Sequence, residues 1–293
     1  MNILLIGKSG QLGSSLLQVG EGHQWYAPCR KELDIESIDS CRRAINRYQP
    51  QIVINTAAFH NVPLCESKPE RAFAVNCIAV RMLAKLCKER AIVFVTFSSD
   101  YVFDGMSKEP YQEDDKTGPL QMYGISRLAG EYAATSEAPL HAIVIRTCGL
   151  YGLQGASSKG GNFVDNRIKD ALNLDSFEMG CDQIVTPTSA LDLATAVVKL
   201  IEKPMCPVGI YHMVNEGQCT WYEFSCKIIE LMNLNVNITP VDRKGWSGEM
   251  RRPLHSVLAN TKAKKLGITL PNWQHALAAY IDAKTEFSDF NCK

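Results

Sequence analysis

Short apolar runs alternate with amphipathic stretches through the first half of the chain, which predicts a repeat of strands and helices. NILLI (2–6) reads as a buried strand, and GKSGQLG leads from it into a helix ending near Val19. HQWYAP (23–28) reads as a second strand and IDSCRRAINRY (38–48) as a helix. QIVINTAA (51–58) predicts a third strand, followed by one long helix, PERAFAVNCIAVRMLAKLCKER (69–90). AIVFVTFSS (91–99), rich in β-branched and aromatic residues, predicts a fourth strand. A polar loop, a helix carrying Tyr123 and the strand HAIVIRT (141–147) complete the series. Strands joined by helices of this length predict an α/β fold: a Rossmann-type doubly wound parallel sheet with right-handed crossovers. Ligands in such sheets sit beyond the carboxyl ends of the strands.

After Thr147 the pattern changes. Glycine-rich GLQGASSKGGN predicts a mobile loop leading into a helix over 163–173. SALDLATAVVKLIEKP (189–204) reads as a helix capped by Ser189. VGIYHMV, a helix from Thr220 to Met232, NVNITPV and a helix beginning near Asn272 follow. This divides the chain into a dinucleotide-binding domain, 1–147, with 183–205 packing back on it. A smaller C-terminal mixed α/β substrate lobe takes 148–182 and 206–293.

Composition narrows the function classes. The 293 residues carry 31 Lys plus Arg against 31 Asp plus Glu, so no basic excess points to nucleic acid. A small anionic ligand stays compatible, because a few arginines and a helix N-terminus suffice. NILLIG is too short for a signal peptide or a membrane span. Eleven cysteines, an odd number without C-x-x-C, read as free thiols in a reducing cytoplasm. Their spacing has no zinc pattern, and no metal is expected.

Gly7, Gly10 and Gly13 form G-x-x-G-x-x-G directly after the first strand, at the opening of a helix. In that context the motif predicts a dinucleotide site, with the pyrophosphate held on the helix N-terminus. The end of the second strand chooses between NAD and NADP. Here it runs Pro28-Cys29-Arg30-Lys31, with no acid before Glu32. Arg30, with help from Lys31, suits the 2′-phosphate of NADP, and NAD remains an alternative. Asp34 and Ile35 lie where a carboxylate and an apolar side chain would border the adenine.

The fourth strand runs into SSDYVFDG (98–105), placing hydroxyls beside the nicotinamide end of such a site. Tyr123 and Arg127 stand at i, i+4 and so share one helix face. Reducing a ketone requires a proton for the developing alkoxide, and a tyrosine serves when a nearby cation favours its ionised form. Ser99 is placed to hydrogen-bond the carbonyl oxygen. Structural alternatives are a Tyr123 that merely packs on the sheet and a basic turn at Arg30 that is merely solvated.

These residues resemble the dTDP-4-dehydrorhamnose reductases of the extended short-chain dehydrogenase/reductase group. Matching stretches are GKSGQLG, NTAA with the loop to Asn76, SSDYVFDG, YGISRLAGE, RTCGLYG, GNF, DQIVTPTSALDLA, GIYHMVNEG with TWYEF, and RRPLHSVL, in family order over nearly the whole chain. The resemblance implies NAD(P)H-dependent reduction of the 4-keto group of dTDP-4-dehydro-L-rhamnose, with a homodimer as the assembly. It places the cofactor on Gly7, Ser9, Gly10, Gln11, Leu12 and Gly13, on Arg30, Asp34 and Ile35, and on Ala57, Ala58, Phe59 and Asn76. Tyr123 and Arg127 complete that set. Ser99, Tyr101, Val102, Phe103, Tyr123, Gly149, Asn162 and Arg252 are the implied substrate contacts, and Ser99, Tyr123 and Arg127 the catalytic group. Some members hold magnesium between subunits through glutamates, but the matching positions here are Ser15 and Leu191.

Three positions depart from the family pattern. Ser99 stands for a Thr, Arg127 for the Lys that partners the tyrosine, and Gly149 for a Trp beside the sugar. These changes keep open a different 4-keto nucleotide sugar, or a NADP-binding regulatory role like that of the methionine adenosyltransferase β subunit. In the lobe, Arg251, Arg252 and the Asn162-Phe163 turn are candidates for the diphosphate and base. Asp104 and Asp182 read as loop organisers, Trp221 and Tyr222 as lobe packing, and His212 as a satisfied core residue.

Overall fold

The computed structural model describes residues 1–154, 161–204, 206–248 and 250–291. Most of the loop expected around GLQGASSKGGN lies outside the described residues. The main sheet contains β1 (Asn2–Ile6), β2 (Gln24–Tyr26), β3 (Ile52–Asn55), β4 (Val93–Ser99), β5 (Ala142–Thr147) and a sixth strand, Gly209–His212. All pair in parallel, in the order β2-β1-β3-β4-β5 with Gly209–His212 beyond β5. The chain winds one way from β1 to β2 and the other way to β3. That reversal opens a crevice at the carboxyl ends of β1 and β3.

Alternate side chains of these strands bury on opposite faces. Ile3, Leu5, Ile54, Val95 and Ile145 pack with helices Gln11–Val19 and Ala190–Ile201. Leu4, Ile6, Val53, Phe94 and Val144 pack with Ile38–Tyr48 and Ala79–Lys88. Both faces are covered, which is why the strands read as unbroken apolar runs.

Several boundaries differ from expectation. β3 stops at Asn55, because Thr56 turns its hydroxyl onto the Ile6 carbonyl, 2.8 Å away. β4 begins only at Val93: the Ile92 N–H still bonds Cys87 O at 2.9 Å, closing the preceding helix through Ala91 at φ 52°. The single helix expected over 69–90 is three segments, α over Pro69–Phe73, π over Ala74–Ile78 and α over Ala79–Lys88. An additional helix, Val62–Ser67, is capped by Asn61, whose Oδ1 accepts the Leu64 N–H at 3.1 Å.

The smaller lobe has its own core of Tyr151, Val164, Phe224, Ile228, Trp273 and Leu277. Helices Phe163–Asn173, Trp221–Leu231 and Trp273–Asn291 surround it, beside a parallel pair, Ser176–Gly180 with Asn237–Val241. Thr220 and Glu223 form a reciprocal capping box at the second helix. Assigning all of 206–293 to this lobe needs correction. Gly209–His212 extends the main sheet beside β5, and Ala263, Ile268 and Leu270 bury against that sheet. An apolar strand with free edge groups is better satisfied on an existing sheet than in a separate lobe. Among the described residues no helix is long and apolar enough to cross a membrane.

Candidate active site at the carboxyl edge of the sheet

The glycine loop leaves β1 and closes against the loop after β3. Gly7 has φ 93°, and a Cβ there would fall 2.4 Å from Thr56 Oγ1. A Cβ on Gly13 would fall 2.2 Å from Gly7 O, so the helix can start this close to the loop only with glycine. Gly10 caps the Gln11–Val19 helix without any side-chain hydrogen bond, and its first turn holds no acid. The helix end is thus left with donors and a positive dipole end, a fit for a pyrophosphate. Ser9 is exposed, while Leu12 and Ile35 bury their side chains in the two core clusters. Both side chains pack in the core, beside the backbone that would border a bound cofactor.

Beyond β2, Arg30 is largely exposed and lies 3.6 Å from Glu36, a carboxylate that Arg71 holds bidentately. Asp34 Oδ1 accepts the Glu36 N–H at 3.1 Å, which turns the chain into the next helix. Ala57, Ala58 and Phe59 form the rim after β3. Asn76 does not face that rim as a free amide. Its Oδ1 accepts the Phe59 N–H at 2.9 Å, and its Nδ2 donates to Phe59 O at 2.9 Å and Ser126 Oγ at 3.0 Å. It thereby clamps the rim to the Tyr123 helix, and the π segment presents it.

That helix, Met122–Glu137, is capped by Gln121, whose Oε1 accepts the Gly124 N–H at 2.6 Å. It packs tightly because of glycine: a Cβ on Gly124 would lie 2.1 Å from Tyr101 O, and one on Gly130 2.1 Å from Asn76 O. The close approach brings the Tyr123 and Tyr101 rings edge to face at 6.0 Å. The guanidinium carbon of Arg127 lies 5.7 Å from the Tyr123 ring centre. Arg127 is 8% exposed and its Nε has no hydrogen-bond partner.

Ser99 ends β4, beside Thr147 at the end of β5. Its hydroxyl oxygen lies 2.7 Å from Asp100 Oδ1, within hydrogen-bond distance, and accepts the Tyr101 N–H at 3.2 Å. Val102 and Phe103, expected at the substrate, are fully buried instead. Phe103 stacks on Tyr111 at 4.1 Å under the Arg146 guanidinium, since the chain turns inward after the short 3-10 segment. Asn162 is also consumed internally: it caps the Phe163–Asn173 helix and donates to Gly152 O and Tyr280 Oη. Arg252 keeps a buried Nε without a partner, whereas Arg251 lies over Trp246.

Gly149 has φ 53°, and a Cβ there would meet the Trp221 ring tip at 3.1 Å. An indole from a distant helix therefore stands against the position where the family pattern has its own. Trp221 also packs on the cluster of Val102, Phe103 and Cys148, so it bridges the two lobes. The sequence held no signal for that contact between residues 72 positions apart.

Asp104 accepts Tyr111 Oη at 2.6 Å and the Met106 N–H, and Asp182 accepts the Gly245 N–H at 2.6 Å; both organise loops. His212 is fully buried, with Tyr111 O 3.1 Å from Nδ1, and burial beside Arg146 lowers its pKa to about 3. Among the described residues no cluster of three or more His, Cys, Asp or Glu side chains is arranged to hold a metal ion.

A parallel sheet with a glycine loop at its switch point and a Tyr–cation helix beside it defines the NAD(P)H-dependent reductase class. The chain belongs to the RmlD substrate binding domain family, whose model matches residues 1–286, and thereby to the nucleotide-sugar 4-ketoreductases. It is 34% identical to the spore coat polysaccharide biosynthesis protein SpsK of Bacillus subtilis, over 98% of this chain and 99% of that protein. It is also 34% identical to a dTDP-4-dehydrorhamnose reductase of Streptomyces griseus, over 94% and 91% of the two chains. The dTDP-4-dehydrorhamnose reductase of Bacillus anthracis, solved in complex with NADP, superposes with a TM-score of 0.90 at 30% identity, over 96% and 98%.

Proposed function

We propose that this protein reduces the 4-keto group of dTDP-4-dehydro-L-rhamnose to dTDP-L-rhamnose with NADPH. The observation that carries this reading is the buried Arg127 guanidinium lying 5.7 Å over Tyr123, one ring contact from the Ser99 turn. The uncapped helix behind Gly10 and the Arg127 charge fit a dinucleotide, and the exposed Arg30 suits a 2′-phosphate. When bound, the nicotinamide supplies the hydride. Tyr123 gives its phenolic proton to the alkoxide oxygen, while Arg127 stabilises the charge left on the phenol. Ser99 orients the carbonyl, and the free Nε of Arg252 suits the diphosphate.

The test is loss of NADPH absorbance with dTDP-4-dehydro-L-rhamnose, run beside Tyr123→Phe. Turnover by the wild type and its loss in the variant support the reading. NADPH binding without turnover of any 4-keto nucleotide sugar would overturn it in favour of a binding protein. A different 4-keto sugar is the second reading, and Trp221 standing against Gly149 favours it. A panel of dTDP-, GDP- and UDP-linked 4-keto sugars separates the two.

A further inference from the structure

A carboxylate stands directly behind Ser99 and has no role in the steps above. Asp100 is 3% exposed, and three side chains converge on it. Ser99 Oγ lies 2.7 Å from Oδ1, while Ser256 Oγ at 2.7 Å and Cys148 Sγ at 3.1 Å meet Oδ2. A hydroxyl has a single hydrogen. Facing an ionised Asp100, Ser99 spends that hydrogen on Oδ1 and has none for a substrate oxygen. Facing a carboxylic acid with its proton on Oδ1, the same oxygen accepts, and the hydrogen turns to the cleft. The Ser256 and Cys148 bonds to Oδ2 persist in both states.

We propose that Asp100 is a positioning residue: as a neutral acid it donates to Ser99 Oγ and turns the Ser99 hydrogen toward the substrate carbonyl, and on ionising it withdraws it. The inference rests on Ser99 acting as the carbonyl partner. Burial raises the Asp100 carboxyl above the usual carboxylate range, partly offset by hydrogen bonds from Ser256, Ser99 and Cys148. The titratable and charged groups on the elements around it are Tyr101, Tyr123, Arg127, Cys148, Arg252 and His255. Burial raises the Cys148 thiol and lowers the His255 imidazole, in each case favouring the neutral form. The fixed charges among these groups are those of Arg127 and Arg252.

Asp100→Asn tests this, because an amide keeps the shape and, with its NH2 toward Ser99, holds that oxygen as an acceptor at every pH. The kcat profile of Asp100→Asn is expected to lose the decline that Asp100 ionisation causes in the wild type and to keep only the one that belongs to ionisation of Tyr123. Its kcat exceeds that of Asp100→Ala by about tenfold, and the two variants become equal in a Ser99→Ala background. A pH profile of Asp100→Asn that is unchanged from wild type, or an unchanged difference without Ser99, overturns the proposal. Infrared difference spectra of the NADPH complex, taken without sugar, give a second readout. A carboxylic-acid C=O band present in the wild type and absent in Asp100→Asn supports the neutral acid, and its absence in the wild type overturns it. Failure of the wild type to reduce any keto sugar would sink the functional reading while leaving this band in place.

Discussion

The guanidinium of Arg127 lies over the ring of Tyr123, one helical turn away, with its carbon 5.7 Å from the ring centre. A planar guanidinium cannot reproduce every contact of an ammonium, but its positive charge is kept. Arg127→Lys is expected to stay within about tenfold of wild-type kcat, whereas Arg127→Met and Tyr123→Phe each fall by about 10²–10³-fold. Steady-state NADPH oxidation checks all three. Equal activity of the Met variant would mean that the charge takes no part.

Gly149 is held at φ 53° with Trp221 and Pro187 where a side chain would go, at 3.1 and 3.2 Å. Gly149→Ala combines left-handed strain with this contact and should cost about 1–3 kcal/mol. Chemical denaturation measures the loss. Trp221→Ala removes one of the two contacts and leaves Pro187 and the strain, so in that background the Gly149→Ala penalty should shrink without vanishing.

Arg146 and Glu131 form a bidentate pair at 2.9 and 2.7 Å, each residue 3% exposed. Arg146 also donates to Glu113 O and lies over Phe103. Glu131→Ala leaves a buried cation with too few acceptors, and a loss of about 3–5 kcal/mol is expected. A thermal midpoint shifted by less than a surface substitution would shift it speaks against that role.

His212 titrates near 3 in the fold, against 6.5 for an ordinary histidine, chiefly through burial. Between those values the unfolded chain binds the extra proton. The contribution of His212 is therefore complete above about pH 6.5 and declines as the pH falls toward 3. Asp100, raised by burial, acts with the opposite sign over its own range. His212→Gln should flatten the acid side of the stability curve relative to wild type, measured by denaturant midpoints across pH. An unchanged slope would place the acid loss elsewhere.

The candidate site was legible in part. The glycine loop and the i, i+4 pair are local, so spacing placed Gly7 and Gly13 at the opening of a helix and Tyr123 and Arg127 on one helix face. The Asp100 cluster was not legible, because Cys148 and Ser256 arrive from 48 and 156 residues away. Val102, Phe103 and Asn162 carry motif identities that suggest contact, yet packing turns their side chains into the protein.

Sequence by itself determined the elements whose cause is local: apolar runs that need burial on both faces, glycines where backbone meets backbone, and a parallel α/β order. Tertiary structure alone decided which strand joins which sheet, where Trp221 stands, and that Ser99 is backed by a buried carboxylate. Such contacts depend on where distant segments come to rest, and that is set by the sum of packing over the whole chain rather than by any window of it.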